Sequence, residues 1–151
     1  MPDDTDIDLQ PLLDAQQNKL GIIMNVGASI DSKALGLFGA IVAVLIFIAQ
    51  LNLNIEWFVW VVLLGSLFLA LGLTVVALYP RQYVSTSADL EKHPEFYAMP
   101  TEVLILQLLA DTQYAIEQNG TYNRQRWRSC VGAFLATALG VLVLFVILLV
   151  Q

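Results

Sequence analysis

Three stretches of this chain carry no charged residue for long enough to cross a lipid bilayer, and nothing else in the sequence constrains the fold as tightly. They cover residues 34–55, 57–79 and 130–150. About 20 residues of helix cross roughly 30 Å of hydrocarbon, and each run meets that length. The first weakens after Ile48, at Gln50, Asn52 and Asn54. Valine, isoleucine and phenylalanine are frequent in all three, but β-propensity does not decide structure in lipid. An open strand leaves backbone groups unpaired there, whereas a helix pairs its own. The alternating ten-residue segments of a membrane barrel are absent. The expected fold is therefore an all-α integral membrane protein with three transmembrane helices and helical extensions. Composition agrees: 58% of residues are hydrophobic and 13% charged, against about 25% charged in soluble domains.

The basic residues set the expected topology. Lys19 and Lys33 precede the first run, and Arg81, Lys92, Arg124, Arg126 and Arg128 lie between the second and third. Basic residues concentrate on the cytoplasmic side, so the N-terminus is expected in the cytoplasm and the C-terminus outside. The start of the chain is acidic and the first apolar run begins late, so no cleavable signal peptide is expected. Four segments follow: a tail and amphipathic helix over 1–33, a hairpin of two spans over 34–79, a cytoplasmic loop and helix over 80–129, and a third span over 130–151.

Within the cytoplasmic parts, Leu9, Leu13, Leu20, Ile23, Gly27 and Ile30 recur at helical spacing. They predict a helix that runs into the first span, with Pro11 in its first turn and Asp6 or Asp8 as its cap. Residues 80–100 hold three prolines and read as loop. Residues 101–119 read as a second helix, with apolar surface from Val103, Leu104, Leu106, Leu108, Ala110, Tyr114 and Ile116. Gly120 is a candidate kink before the chain continues toward the third span. The Asn119-Gly120-Thr121 sequon is expected to be silent on the cytoplasmic side.

Enzyme signatures are missing. There is no G-x-S-x-G, G-x-G-x-x-G, Walker loop, H-E-x-x-H or C-x-x-C, and the spans hold no charge for a proton relay. The reading is of a protein that is not an enzyme, with no catalytic residue, metal or cofactor. Ser66, Thr74 and Thr137 are expected to bond their own helices. Cys130 is the single cysteine; it reads as a small buried hydrophobe, with a reactive or palmitoylated thiol as the alternative. His93 reads as a solvated loop residue.

Other residues carry more pointed expectations. Gly132, Ala136 and Gly140 recur at spacing four, which lets helix backbones approach closely, within one subunit or between subunits. Gly36 with Ala40 and Gly39 with Ala43 repeat the pattern in the first span. Glu56, with Asn52 and Asn54, marks the outer turn, either as a plain hydrophilic turn or as an acidic ring at a pore mouth. Arg81, Arg124, Arg126 and Arg128 are candidates to grip lipid phosphates or a nucleotide ligand, with Arg124 and Arg128 on one helical face and Arg126 elsewhere. Asp31 needs a cation at the membrane surface. Lys33, two positions on, is a poor partner and reads as an anchor, so an Asp31–Arg81 gating pair is expected, with Arg124 and Arg128 as alternatives.

Asp31-Ser32-Lys33-Ala34 before the first span, Tyr79-Pro80-Arg81 after the second, and Tyr122-Asn123 leading into the third complete a pattern. Over residues 20–150 the chain resembles the SLATT-type small membrane effectors of bacterial anti-phage systems, including the transmembrane effectors of pyrimidine-cyclase (Pycsar) systems. The resemblance implies an oligomer, with a tetramer as the working number, that opens or disrupts the inner membrane in abortive infection. It also implies control by a nucleotide or oligonucleotide from a partner nucleotidyltransferase or cyclase, without reading of duplex nucleic acid. The family has no catalytic motif to carry over, and no nucleotide-binding domain is recognisable here. The competing expectation is a non-conducting membrane anchor or adaptor that recruits a cytoplasmic partner.

Overall fold

The computed structural model describes residues 9–51, 55–79, 82–84 and 99–150. The described residues form three helices: α1 over Gln10–Gln50, α2 over Trp57–Leu78 and α3 over Thr101–Val150. All three are long and apolar enough to cross a membrane. At 1.5 Å per residue, α2 is roughly 33 Å long, matched to the hydrocarbon, whereas α1 and α3 reach about 60 and 75 Å. Each of the long helices therefore continues well past a single crossing.

Local chemistry sets the ends. Pro11 sits in the first turn of α1, where its missing N–H costs nothing, and the Leu9 carbonyl accepts from the Leu13 amide at 3.1 Å. The helix stops at Gln50, short of the expected 55, with a tightened last turn in which Leu51 N–H donates to Ile48 O at 3.1 Å. Glu56 precedes α2 with extended backbone, and its carbonyl accepts from Val59 N at 3.0 Å. At the other end Tyr79 (φ −55°, ψ 121°) leaves the helix, as a residue before proline must. The Pro100 carbonyl starts α3 by accepting from Leu104 N at 3.1 Å. Gly120 does not interrupt α3: the helix runs through it as one element. The proposed caps Asp6 and Asp8 lie outside the described residues.

The chain divides into two compact units. The first takes Met1–Val26 and Gln82–Tyr122. Its core is Leu20, Ala115 and Ile116, with Ile23 and Val84 packed against them. On α3 the buried positions are Leu109, Thr112, Ala115, Ile116 and Asn119, while Val103, Leu106 and Tyr114 are exposed. The inward face is thus narrower than the apolar residues alone suggest, and it includes an amide and a hydroxyl.

The second unit takes Gly27–Arg81 and Asn123–Gln151, and is a three-helix assembly. From α3 it buries Asn123, Arg126, Cys130, Ala133, Thr137, Gly140, Leu144 and Ile147, an uninterrupted alternation of three and four. That spacing is the seam of left-handed, knobs-into-holes packing. Buried Ile30, Ala34, Ile41 and Ile48 on α1, with Leu63, Leu67, Ala70, Thr74 and Ala77 on α2, face the same core. In lipid the hydrophobic effect does not hold helices together, so close packing must. Gly140 shows how close: a Cβ there would lie 2.8 Å from Ser66 Oγ and 2.9 Å from Leu67 Cδ2. The outward residues, among them Trp57, Phe58, Val61, Leu135 and Phe145, are large, apolar and exposed. So continuous an apolar surface fits lipid rather than water.

Candidate functional site

The polar centre of the three-helix unit is built by one residue from each helix. Asp31 stands on α1, Ala77 offers its carbonyl near the end of α2, and Arg126 projects from the inward seam of α3. Arg126 Nη2 donates to Asp31 Oδ1, and Arg126 Nε donates to the Ala77 carbonyl at 2.7 Å. Ala77 is among the last four residues of α2, whose carbonyls have no partner within their own helix. The guanidinium therefore closes a helix end and an ion pair together, which its planar fork of donors permits and a lysine would not. Its side chain is 4% exposed, that of Asp31 45%, so water reaches the carboxylate but hardly the cation. Ala34, Ala77 and Cys130, with Leu78 against them, form a small core beside the tie.

The sequence expectation for this cluster needs correction. Asp31 does pair with an arginine, but with Arg126, one of those considered for phosphate contact. Arg81 lies outside the described residues. Arg124 and Arg128 share an exposed side of α3. Arg126 points elsewhere, as its offset implied, and elsewhere is inward. Carrying the small-residue seam back from Gly140 through Thr137, Ala133 and Cys130 lands on Arg126 and then Asn123, and that periodicity was the available signal. Lys33 is not Asp31's partner either: its ammonium lies 5.2 Å from the centroid of the Trp127 ring, a cation–π contact between α1 and α3.

Protein-family models, curated proteins and solved structures return no match to this chain.

The remaining candidate residues sort by position. Gly132 and Gly140 face α2 within the chain, Gly132 with Leu73 Cδ1 3.2 Å from where a Cβ would stand. Ala136 lies with Gly132, Gly65 and Ser66 along a groove between α2 and α3. Gly36 and Gly39 on α1 meet nothing within 4 Å. Glu56 is exposed at the start of α2 and lines a groove of about 540 Å³ with Val59, Leu142 and Val146. Asn52 and Asn54 lie outside the described residues, as does His93. The hydroxyls of Ser66, Thr74 and Thr137 donate to carbonyls of their own helices, Leu63, Ala70 and Ala133, each at 2.8 Å. Cys130 is buried and unpaired with any other cysteine. Among the described residues no cluster of three His, Cys, Asp or Glu side chains could hold a metal.

The first unit holds a second polar feature that the sequence reading missed. Asn119, fully buried, accepts from Val84 N at 3.0 Å and donates to Val84 O at 2.9 Å. One side-chain amide thus pairs both backbone groups of Val84, as a neighbouring strand would, and straps residues 82–84 to α3. Beside it, burial pushes the Tyr83 phenol above its usual pKa. The sequon asparagine is committed to this strap.

Proposed function

We propose that this protein is an oligomeric effector of the bacterial inner membrane whose spans open a conducting path, or disrupt the bilayer, in response to a nucleotide-type signal in an anti-phage system. The observation that supports it most is the Asp31–Arg126–Ala77 tie. A buried, charged junction joining three helices at one level suits a switch: made, it ties the helix ends together; with the ion pair broken, that tie between α1 and α3 is lost. Lys33, Arg124 and Arg128 lie within a few residues of the tie along α1 and α3, which fits a cytoplasmic location where a soluble signal could reach it. Among the described residues, Ile48, Leu63, Leu67, Leu144 and Ile147 pack together between the three helices of one copy. Conduction would run between copies. Expression in cells carrying a voltage-sensitive dye, with phage or a candidate nucleotide as trigger, is the direct test. Depolarisation that Arg126→Ala alters is expected; no depolarisation under any trigger overturns the reading.

One observation favours an adaptor instead. The first unit exposes Leu12, Ile22, Met24, Val103, Leu106 and Tyr114, apolar surface suited to a protein partner. That reading forecasts a stable complex without conductance in the same experiment.

A further inference from the structure

A groove opens where α1 and α3 pass the tie, with a cation at one end and apolar walls along the rest. Its volume is about 380 Å³, and it is lined by Lys33, Leu37, Trp127, Cys130, Val131 and Phe134. Sites for small ligands span roughly 300–1,000 Å³. Phe134 and Val131 are exposed along it, so it opens sideways, to the medium around the spans. Lys33 sits at its polar end, held by the Trp127 ring. Among the described residues no carboxylate pairs with Lys33, because Asp31 is taken by Arg126. The ammonium therefore keeps donors free. Trp127 is half exposed, and tryptophan favours the depth of the lipid headgroups. Cation, interfacial tryptophan and apolar channel thus follow one another along the direction in which a phospholipid lies. We propose that this groove is a binding site for an anionic phospholipid, its phosphate on Lys33 and one acyl chain along Leu37, Val131 and Phe134.

Charge complementarity argues for an anionic lipid rather than a zwitterionic one. Exposed Arg124 and Arg128 stand within a helical turn of Trp127, whereas the one nearby acid of the unit is neutralised by its own arginine. A net positive rim attracts a phosphodiester without a compensating amine. Trp127 contributes twice, orienting the lysine and covering the glycerol level of the lipid. The site requires only that the three helices lie in a bilayer, and so it stands apart from conductance.

The test uses the full-length protein in nanodiscs or vesicles of phosphatidylcholine mixed with phosphatidylglycerol, with retained lipid counted by native mass spectrometry. Flotation with the vesicles is measured first, so failure to insert is distinguished from failure to select lipid. Wild type should retain phosphatidylglycerol in preference to phosphatidylcholine, and Lys33→Gln should lower that preference by about five-fold, the effect of one basic residue at an anionic surface. Val131→Trp, which fills the groove without touching charge, should lower retention of both lipids. Inserted wild type without a preference, or Lys33→Gln with the wild-type preference, overturns the site. Retention unchanged by Val131→Trp overturns the acyl channel and with it the proposal.

Discussion

At the scale of single residues, Arg126 matters because it serves a backbone carbonyl and a carboxylate together, and Asn119 because it serves both backbone groups of Val84. Removing Asp31 takes an ion-pair partner from a guanidinium that is 4% exposed. Breaking a fully buried pair costs roughly 3–5 kcal/mol; with Asp31 half in water, Asp31→Ala should cost about 2–4 kcal/mol. Unfolding in detergent micelles checks this, and the combination Asp31→Ala with Arg126→Met should be more stable than Asp31→Ala alone, since no charge then stays buried. A combination less stable than the single change would show that the ion pair is not what the site depends on. Asn119→Ala should cost about 1–3 kcal/mol, the range for buried backbone groups left unpaired, and hydrogen exchange at the Val84 amide should rise sharply. Asn119→Asp should not recover this, because a buried carboxylate would face the Val84 carbonyl to which the amide donates. Neither residue was assigned its role from sequence. A charge or amide in a polar segment looks solvated until the fold shows which side of the helix it is on, and only the three-four spacing, read back from the span, could have turned Arg126 inward.

At the scale of elements, the legible parts were those fixed by local chemistry. Pro11, Pro80 and Pro100 bound the helices because proline lacks an N–H and restricts its predecessor, and the second span was read to within a residue. Continuity was harder. Gly120 suggested a break, but a glycine lowers helix stability by only about 1 kcal/mol, which packing on both sides overrides. The small residues of α3 lend themselves to a graded test. Gly140→Ala should destabilise the three-helix unit more than Gly132→Ala, because its Cβ meets Ser66 Oγ at 2.8 Å and Leu67 Cγ at 3.1 Å, against a single side-chain end at 3.2 Å for Gly132. Ser66 cannot easily yield, since its hydroxyl is committed to Leu63 O. Gly39→Ala, in open space, should be neutral or slightly stabilising. Thermal aggregation midpoints for the three variants measure the order; equal midpoints would contradict the close approach at Gly140.

At the scale of the whole molecule, three helices long and apolar enough to cross a membrane were plain in the sequence, because length and composition suffice to find them. The functional expectation rests on resemblance, since among the described residues no cluster commits the chain to a reaction or a ligand. If conduction runs between copies, flux through reconstituted vesicles should rise more steeply than linearly with protein density and vanish when copies are isolated. Flux proportional to density would place the path within one chain. The tie between Asp31 and Arg126 joins residues 95 apart in sequence, and this spacing bears on how the protein is made. At roughly 5–20 residues per second, the ribosome delivers Arg126 about 5–20 s after Asp31. For that interval the Asp31 carboxylate and the Ala77 carbonyl both await the guanidinium that joins them. A chain truncated before Arg126 should therefore be degraded faster than the full chain, because α1 and the end of α2 never receive the residue that ties them together.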